Sequence, residues 1–289
     1  MTVEPVLDVG ITCGESPVWD ADAGALWLTD IPGRSLYRFD PAREAHAKWS
    51  MPEELCAFAL RDGGGMVAAM RSGFAFLEPE TGTLDWIARP EANKPDNRLN
   101  DGRCDRQGRF WAGSMHLPRT EHAGVLYRLG TDRDCVAVAD GAIVSNGLAW
   151  SPNSQVMYWS DSRSNTVYSF DFDSETGAAE NRRTFYKTTV EQGRPDGATV
   201  DADGFYWSAC YMGGRVLRIA PDGKLDREII MPVRDITMPA FGGPNLDTLY
   251  VTTSKEALSQ AEREASPLAG AVFAFDPGVR GLPEPKYAG

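Results

Sequence analysis

A repeated pattern of mostly aromatic residues is the feature that most restricts the fold of this chain. Turn residues followed by a short apolar run recur six times, and one residue within each run serves as a marker. The markers are Trp27, Val67, Trp111, Tyr158, Trp207 and Tyr250. Successive markers lie 40, 44, 47, 49 and 43 residues apart, as their numbers show. Strand-type repeats of this length are typical of β-propellers, in which each copy forms one blade.

A second apolar segment follows each marker at a similar distance and usually ends in an acidic or proline turn. These segments are residues 36–39, 74–77, 125–129, 167–170, 216–219 and 272–275. Six copies leave roughly 48 residues each, which suits four strands of ordinary length with their turns. The sequence therefore predicts an all-β fold, with residues 1–289 forming a single six-bladed β-propeller domain of four-stranded antiparallel blades. We expect residues 3–9 to complete the last blade and residues 255–265 to form an exposed insertion in it.

Composition restricts the partners of the chain. Its 29 Lys and Arg residues against 41 Asp and Glu residues give a net charge of −12, with no basic block, so the sequence predicts no nucleic-acid or membrane partner. The N-terminus lacks the basic and apolar regions of a signal peptide, and no apolar run could span a bilayer. We therefore expect a cytoplasmic location. The five cysteines contain no Cys-x-x-Cys pair, which argues against a disulfide framework or a thiolate zinc site.

Four polar residues occupy nearly the same position in their repeats, just before the marker. They are Glu15, Asn100, Asn146 and Asp196. Taken singly, the Asn-Gly and Asp-Gly pairs would predict turns. In a propeller, however, equal position in the repeat means equal height along the channel, so these side chains should converge at one mouth. Two buried carboxylates would repel each other unless a divalent cation joined them, and oxygen donors suit Ca²⁺, Mg²⁺ or Mn²⁺, with Zn²⁺ also served by carboxylates.

Six motifs in order give the chain a resemblance to a known family. They are Gly14-Glu15-Ser16-Pro17, Asn97-Arg98-Leu99-Asn100-Asp101-Gly102, Trp111-Ala112-Gly113-Ser114-Met115, Ser145-Asn146-Gly147-Leu148, Pro195-Asp196-Gly197 and Ala240-Phe241-Gly242-Gly243. With these motifs, nearly the whole chain resembles the senescence marker protein/gluconolactonase/regucalcin family. The resemblance implies a six-bladed propeller that hydrolyses a sugar lactone to the aldonic acid with one divalent metal ion. Ca²⁺ or Zn²⁺ is the foremost expectation, followed by Mn²⁺, Mg²⁺ or Fe²⁺.

The resemblance also implies a role for individual residues. The implied metal ligands are Glu15, Asn146 and Asp196. The implied substrate-binding residues are Arg98, Asn100 and His116. Asp196 is in addition the implied general base, which activates water at the metal. His116 and Leu117 stand where some relatives carry acidic residues, so the particular lactone and its ring size are not predicted, and neither is the oligomeric state.

Three alternatives remain open at this point. A hard cation that polarises a carbonyl can also polarise a phosphoryl group, so the first alternative is a phosphotriesterase-type hydrolase on the same propeller. The second is a non-enzymatic calcium-binding regulatory protein. The third is a scaffold that binds no metal.

Overall fold

The computed structural model describes residues 2–289 and contains six four-stranded antiparallel sheets, which confirms the predicted six-bladed β-propeller. The first three blades consist of β2 (Gly14–Asp20), β3 (Ala25–Asp30), β4 (Ser35–Asp40) and β5 (Ala45–Ser50); β6 (Leu55–Leu60), β7 (Met66–Met70), β8 (Gly73–Glu78) and β9 (Thr83–Ala88); and β10 (Asn97–Cys104), β11 (Phe110–His116), β12 (Gly124–Leu129) and β13 (Cys135–Ala142). Blades 4 and 5 consist of β14 (Ser145–Trp150), β15 (Val156–Asp161), β16 (Thr166–Asp173) and β17 (Ala178–Lys187); and β18 (Arg194–Val200), β19 (Tyr206–Tyr211), β20 (Arg215–Ile219) and β21 (Leu225–Ile230).

The sixth blade joins the two ends of the chain. It contains β22 (Ile236–Gly242), β23 (Thr248–Thr253), β24 (Val272–Phe275) and the N-terminal strand β1 (Glu4–Leu7). Strand β1 pairs with β24, with Glu4 opposite Ala274, as expected for residues 3–9. The first strand of every blade contacts the first strands of the blades on either side, so these six inner strands surround a central channel.

Four of the five aromatic markers are buried within the blades, and Trp27 is partly buried. Trp111 and Trp207 are fully buried, and each indole N–H donates to an aspartate six residues earlier in the chain. The acceptors are Asp105 and Asp201, at 2.9 Å in both cases. Because an unpaired buried N–H is costly, the repeated aspartate and tryptophan together fix the turn that starts the second strand of the blade.

The C-terminal segment covers the end of the channel where the inner strands finish. The Tyr287 amide donates to the Leu60 carbonyl at 2.8 Å, and the Ala288 amide donates to the Gly108 carbonyl at 3.0 Å. Glu284 forms an ion pair with Arg103, near the end of β10, at 2.9 Å. Residues 282–285 therefore lie across the far mouth of the channel, opposite the end where β2 and β10 begin.

Within the described residues 2–289, helical structure occurs in two connections. A 3₁₀ turn spans Ser162–Ser164, and the helix α1 (Gln260–Ala265) lies in the connection from β23 to β24. All residues of α1 are exposed or partly exposed, which confirms the expected insertion in the last blade. Within residues 2–289, no helix is long and apolar enough to cross a membrane.

Candidate active site

The predicted site residues project from the inner strands at irregularities in the strand pairing. The register shifts between Glu15 and Val18 in blade 1, between Leu99 and Gly102 in blade 3, between Asn146 and Ala149 in blade 4, and between Pro195 and Ala198 in blade 5. A β-bulge redirects the side chains around it. The Asn-Gly and Asp-Gly pairs of blades 3, 4 and 5 are thus bulges inside strands, and Glu15-Ser16 lies at the equivalent irregularity of blade 1.

Two positions show why the backbone must be unusual here. Gly147, directly after Asn146, has φ of 63°, and a Cβ atom at this position would collide with the hydroxyl groups of Tyr206 and Ser160. Ser16, directly after Glu15, adopts φ of 49° although it is not glycine. Residues with positive φ are strained unless the surrounding structure holds them, and such strain concentrates at functional sites. The backbone next to two predicted metal ligands is therefore held in a fixed conformation.

Five of the six predicted site residues line one cavity of about 80 Å³ at the near mouth of the channel. They are Glu15, Arg98, Asn100, Asn146 and Asp196. The structure thus brings together side chains that are up to 181 residues apart in the sequence, as the equal-height argument predicted.

The carboxylates of this cavity repel one another in a setting with little water. Asp196 is only 8% exposed, and Glu15 is partly buried. Burial raises the pKa of Glu15 well above its ordinary value, and the charges of Asp196 and Asp101 raise it further. Burial likewise raises the pKa of Asp196, again with a contribution from Asp101. Both carboxyl groups therefore hold their protons to higher pH than free carboxyl groups do.

Asp101 is a third carboxylate that the sequence analysis did not assign to the site. It is 5% exposed, and its Oδ2 accepts a hydrogen bond from the Leu148 amide at 3.1 Å. Its Oδ1 is buried and has no partner among residues 2–289. The Asn100-Asp101-Gly102 sequence could have indicated that Asp101 belongs to the site, because a bulge allows two successive side chains to affect the same side of a strand.

A chain of hydrogen bonds links the polar groups of blades 3, 4 and 5. Arg98 Nη1 donates to Asn100 Oδ1 at 2.6 Å, and Asn100 Nδ2 donates to Asn146 Oδ1 at 3.1 Å. Asn146 Nδ2 in turn donates to Ser162 Oγ at 2.8 Å, and this hydroxyl donates to the Pro195 carbonyl at 2.7 Å. Because the amide nitrogen of Asn146 is bonded to Ser162, its amide oxygen is the atom that remains available on the cavity side.

The donor set fits a hard divalent cation. Neither Glu15 nor Asp196 forms an ion pair with a basic side chain of residues 2–289, and the charges of Arg98 and Arg119 offset only part of the burial that raises the pKa of these carboxyl groups. Two carboxylates and the amide oxygen of Asn146 are ligands that Ca²⁺, Mg²⁺ and Mn²⁺ prefer, with water completing the shell. Within residues 2–289, no group of three or more His, Cys, Asp or Glu side chains is placed to hold a metal. Binding of a metal ion would thus need the Asn146 amide.

His116 lies outside the cavity lining. It pairs with Asn97 at the end of β11, whereas its neighbour Met115 pairs with Arg98 and does line the cavity. Successive residues of a strand point to opposite faces, which separates His116 from Met115. Its Nδ1 accepts a hydrogen bond from the Glu121 amide at 3.1 Å, so His116 holds the loop that follows β11.

Comparison with known proteins places this geometry in a family. A family model described as the SMP-30/Gluconolactonase/LRE-like region matches residues 13–255. The chain is 41% identical over 278 residues to the 6-deoxy-6-sulfogluconolactonase of Pseudomonas putida, and the match covers 96% of this chain and 95% of that protein. It is 37% identical over 294 residues to regucalcin from Oryctolagus cuniculus, covering 99% and 98% of the two chains.

A solved structure supports the same assignment. It is described as a calcium-binding protein, regucalcin, from Agrobacterium tumefaciens, and it superposes with a TM-score of 0.93 at 28% sequence identity, covering 98% of this chain and 96% of that chain. Sequence, fold and the polar cavity therefore agree with the resemblance seen in the motifs, and the chain belongs to the SMP-30/gluconolactonase/LRE-like family.

Proposed function

We propose that this protein is a divalent-metal-dependent lactonase that opens a sugar lactone to the aldonic acid. The observation that supports the proposal best is the meeting of Glu15, Asn146 and Asp196 with Arg98 in one cavity at the mouth of the channel. The family relationship supports the same reaction class, because one relative is named as a lactonase. That name denotes a gluconolactone carrying a sulfo group, so the substrate of such a propeller need not be neutral.

The proposed metal ligands are Glu15, Asn146 and Asp196, and a bound divalent ion would supply Lewis-acid polarisation of the ester carbonyl. Asp196 accepts a proton from the water that attacks the ester carbon. Asp196 suits this role because its carboxylate is buried in the cavity with the other proposed ligands, and a bound cation would keep it deprotonated and able to accept a proton. The bond from the acyl carbon to the ring oxygen then breaks, and the ring oxygen takes up a proton to become a hydroxyl group.

Arg98 and Asn100 have different tasks in this proposal. Arg98 Nη1 is held by Asn100 Oδ1 and by the Leu99 carbonyl at 2.8 Å, which leaves the rest of the guanidinium group free to bind substrate oxygens. Asn100 uses both amide hydrogens on the Ser145 carbonyl and on Asn146 Oδ1. Asn100 therefore positions Arg98 and the metal ligand Asn146, and its contribution to catalysis is orientation.

A non-enzymatic calcium-binding role is the second candidate. The similar structure from Agrobacterium tumefaciens is described as a calcium-binding protein, and the oxygen-only donor set suits Ca²⁺. The two candidates differ in one observable, which is turnover of a lactone.

The test is a pH-indicator hydrolysis screen of aldono-1,4- and aldono-1,5-lactones, with a phosphotriester measured in parallel. Chelated protein is supplied with Ca²⁺, Zn²⁺, Mn²⁺, Mg²⁺ or Fe²⁺ one at a time. We expect lactone hydrolysis that needs a metal and falls about 100-fold or more in Asp196→Asn and Glu15→Gln. The matched control is Glu180→Gln, which removes one exposed carboxylate on an outer strand. Wild-type rates in folded Asp196→Asn protein, or faster turnover of the phosphotriester, would overturn the proposal.

A further inference from the structure

Three arginines at the mouth of the cavity lack partners. Arg119, Arg163 and Arg194 line the cavity, yet their side chains form no ion pair or hydrogen bond with the rest of residues 2–289. Other arginines of this chain are paired closely, such as Arg109 with Asp105 at 2.6 Å. Arg119 and Arg163 are exposed and Arg194 is partly buried, so their guanidinium groups remain accessible, and three of them at one cavity suit a ligand of opposite charge.

The backbones that carry two of these arginines are held in place. The Arg119 amide donates to the His116 carbonyl at 2.9 Å, and the His116 ring accepts from the Glu121 amide in the same loop. Arg163 lies in the 3₁₀ turn, whose first residue is capped by Asp161, and the Asp161 carboxylate accepts from the Arg163 amide at 3.1 Å. Buried His116 and buried Asp161 thus stabilise the two loops that carry Arg119 and Arg163.

The third arginine brings the group together. Arg194 opens β18, two residues before Asp196. The three side chains come from blades 5, 4 and 3 and line the same cavity, so they form one arc of its mouth.

The cavity is far less acidic than the protein as a whole. The chain carries −12 overall, but the cavity lining contains four arginines, including Arg98, against Glu15, Asp196 and Glu256. With Asp101 behind the lining the charges sum to about zero, and a divalent cation would raise the sum to about +2. A neutral sugar lactone would compensate none of this charge.

We infer that the substrate is an aldonolactone with an oxyanion group, a sulfonate, phosphate or carboxylate, on the carbon remote from the ester, and that Arg119, Arg163 and Arg194 bind this group. The inference rests on the proposed lactonase function and specifies its substrate class. The planar fork of arginine matches the oxygens of all three groups, which places the charged end at the rim and the ester beside Arg98 and Asp196.

The test compares kcat/KM for unsubstituted gluconolactone with kcat/KM for lactones bearing a terminal sulfonate, phosphate or carboxylate, at constant ionic strength. We expect wild-type protein to favour at least one charged lactone by roughly ten-fold or more, the effect of one charge-assisted contact. The variants Arg163→Gln and Arg194→Gln should each lower this ratio by about ten-fold. The control is Arg43→Gln, which removes the same charge from the turn after β4, at the end of blade 1 opposite the mouth.

A binding measurement separates this inference from the proposed reaction. Isothermal titration with the open-chain acids needs no turnover, and we expect tighter binding of the acid with a terminal oxyanion, lost in Arg163→Gln. Hydrolysis of the neutral lactone with an unchanged ratio in the arginine variants would overturn the inference and leave the lactonase proposal standing. If no lactone is hydrolysed but the charged acid binds through the arginines, the lactonase proposal fails and the anion site is supported. An Arg43→Gln effect equal to that of Arg163→Gln would overturn the site, because overall charge would explain both.

Discussion

Replacement of Asp196 by asparagine should stabilise the metal-free protein, whereas the same replacement at Asp201 should destabilise it. Both aspartates are buried, at 8% and 0% exposure, and both lie on or just after β18. Their surroundings differ, and this difference alone gives the two replacements opposite effects on the stability of the protein.

The Asp196 carboxyl has a pKa raised by burial and by the charge of Asp101. A raised pKa means that the folded protein is favoured at pH below the ordinary carboxyl pKa and loses stability as the pH rises toward and through the raised value. Each pH unit in that interval costs about 1.4 kcal/mol. Asparagine cannot ionise, so it removes this cost, and one unit of raised pKa would correspond to a gain in Tm of about 2–4 °C at pH 8.

The Asp201 carboxylate accepts hydrogen bonds and forms an ion pair, whereas the Asp196 carboxylate has no such partner among the side chains of residues 2–289. Its Oδ2 accepts from Trp207 at 2.9 Å and from Arg218 at 2.7 Å, and its Oδ1 accepts from the Phe205 amide at 2.9 Å. Asparagine would turn an N–H group toward one set of these donors, and Arg218 would lose its buried partner and keep only the exposed carboxylates of Asp203 and Asp226. Loss of one member of a buried ion pair costs about 3–5 kcal/mol, so Tm should fall by roughly 6–15 °C.

Thermal unfolding of chelated wild-type, Asp196→Asn and Asp201→Asn protein between pH 5 and 8.5 measures both effects. The advantage of Asp196→Asn over wild type should grow with pH, and saturating Ca²⁺ should reverse it, because only the wild type keeps both carboxylate ligands. A chelated Asp196→Asn protein that is less stable than wild type throughout this pH range would refute the electrostatic reasoning.

Three further predictions concern the parts that support the site. His116→Ala should loosen the loop that carries Arg119 and so raise KM for a charged lactone about three-fold or more. In steady-state kinetics, kcat for the neutral lactone should change less, and His116→Gln should partly restore KM. Tyr287→Ala should lower the stability by about 3–5 kcal/mol because this buried ring packs within the core and its hydroxyl donates to the Gly130 carbonyl at 2.7 Å, while Tyr287→Phe should cost about 1 kcal/mol in denaturant unfolding. Binding of a divalent cation should release protons, and its affinity should weaken as the pH falls, since the pKa of Glu15 is raised; equal calorimetric heats in buffers of different ionisation enthalpy would contradict this.

The sequence was informative wherever a pattern repeats with the blades. Trp111 and Trp207 lie at equivalent points because each anchors the same turn through an aspartate, so the blade count could be read from their spacing. Glu15 and Asp196 could be assigned to one mouth for the same reason, because the inner strands share one direction and one height.

Features that do not repeat could not be read in this way. The role of His116 in substrate binding stays a prediction, and the alternation of β11 places its neighbour Met115 among the residues that line the cavity. Asp101 adjoins a predicted site residue, and only the bulge in β10 explains why its charge reaches Asp196. The covering of the far mouth through Glu284 depends on the path of the C-terminal segment, which no local pattern encodes.

An acidic protein can contain a cavity that attracts a small anion because the two charge effects act over different distances. A net charge of −12 disfavours large anionic partners, whose many charges meet the protein surface as a whole. At physiological ionic strength, screening acts over about 8 Å, so a small anion in the mouth is influenced mainly by the side chains that line it. There Arg119, Arg163 and Arg194 outnumber the acidic side chains that remain once Glu15 and Asp196 are engaged by a cation. The acidic composition therefore predicts no partner among nucleic acids and anionic membranes, and it is compatible with a singly or doubly charged sugar derivative in this cavity.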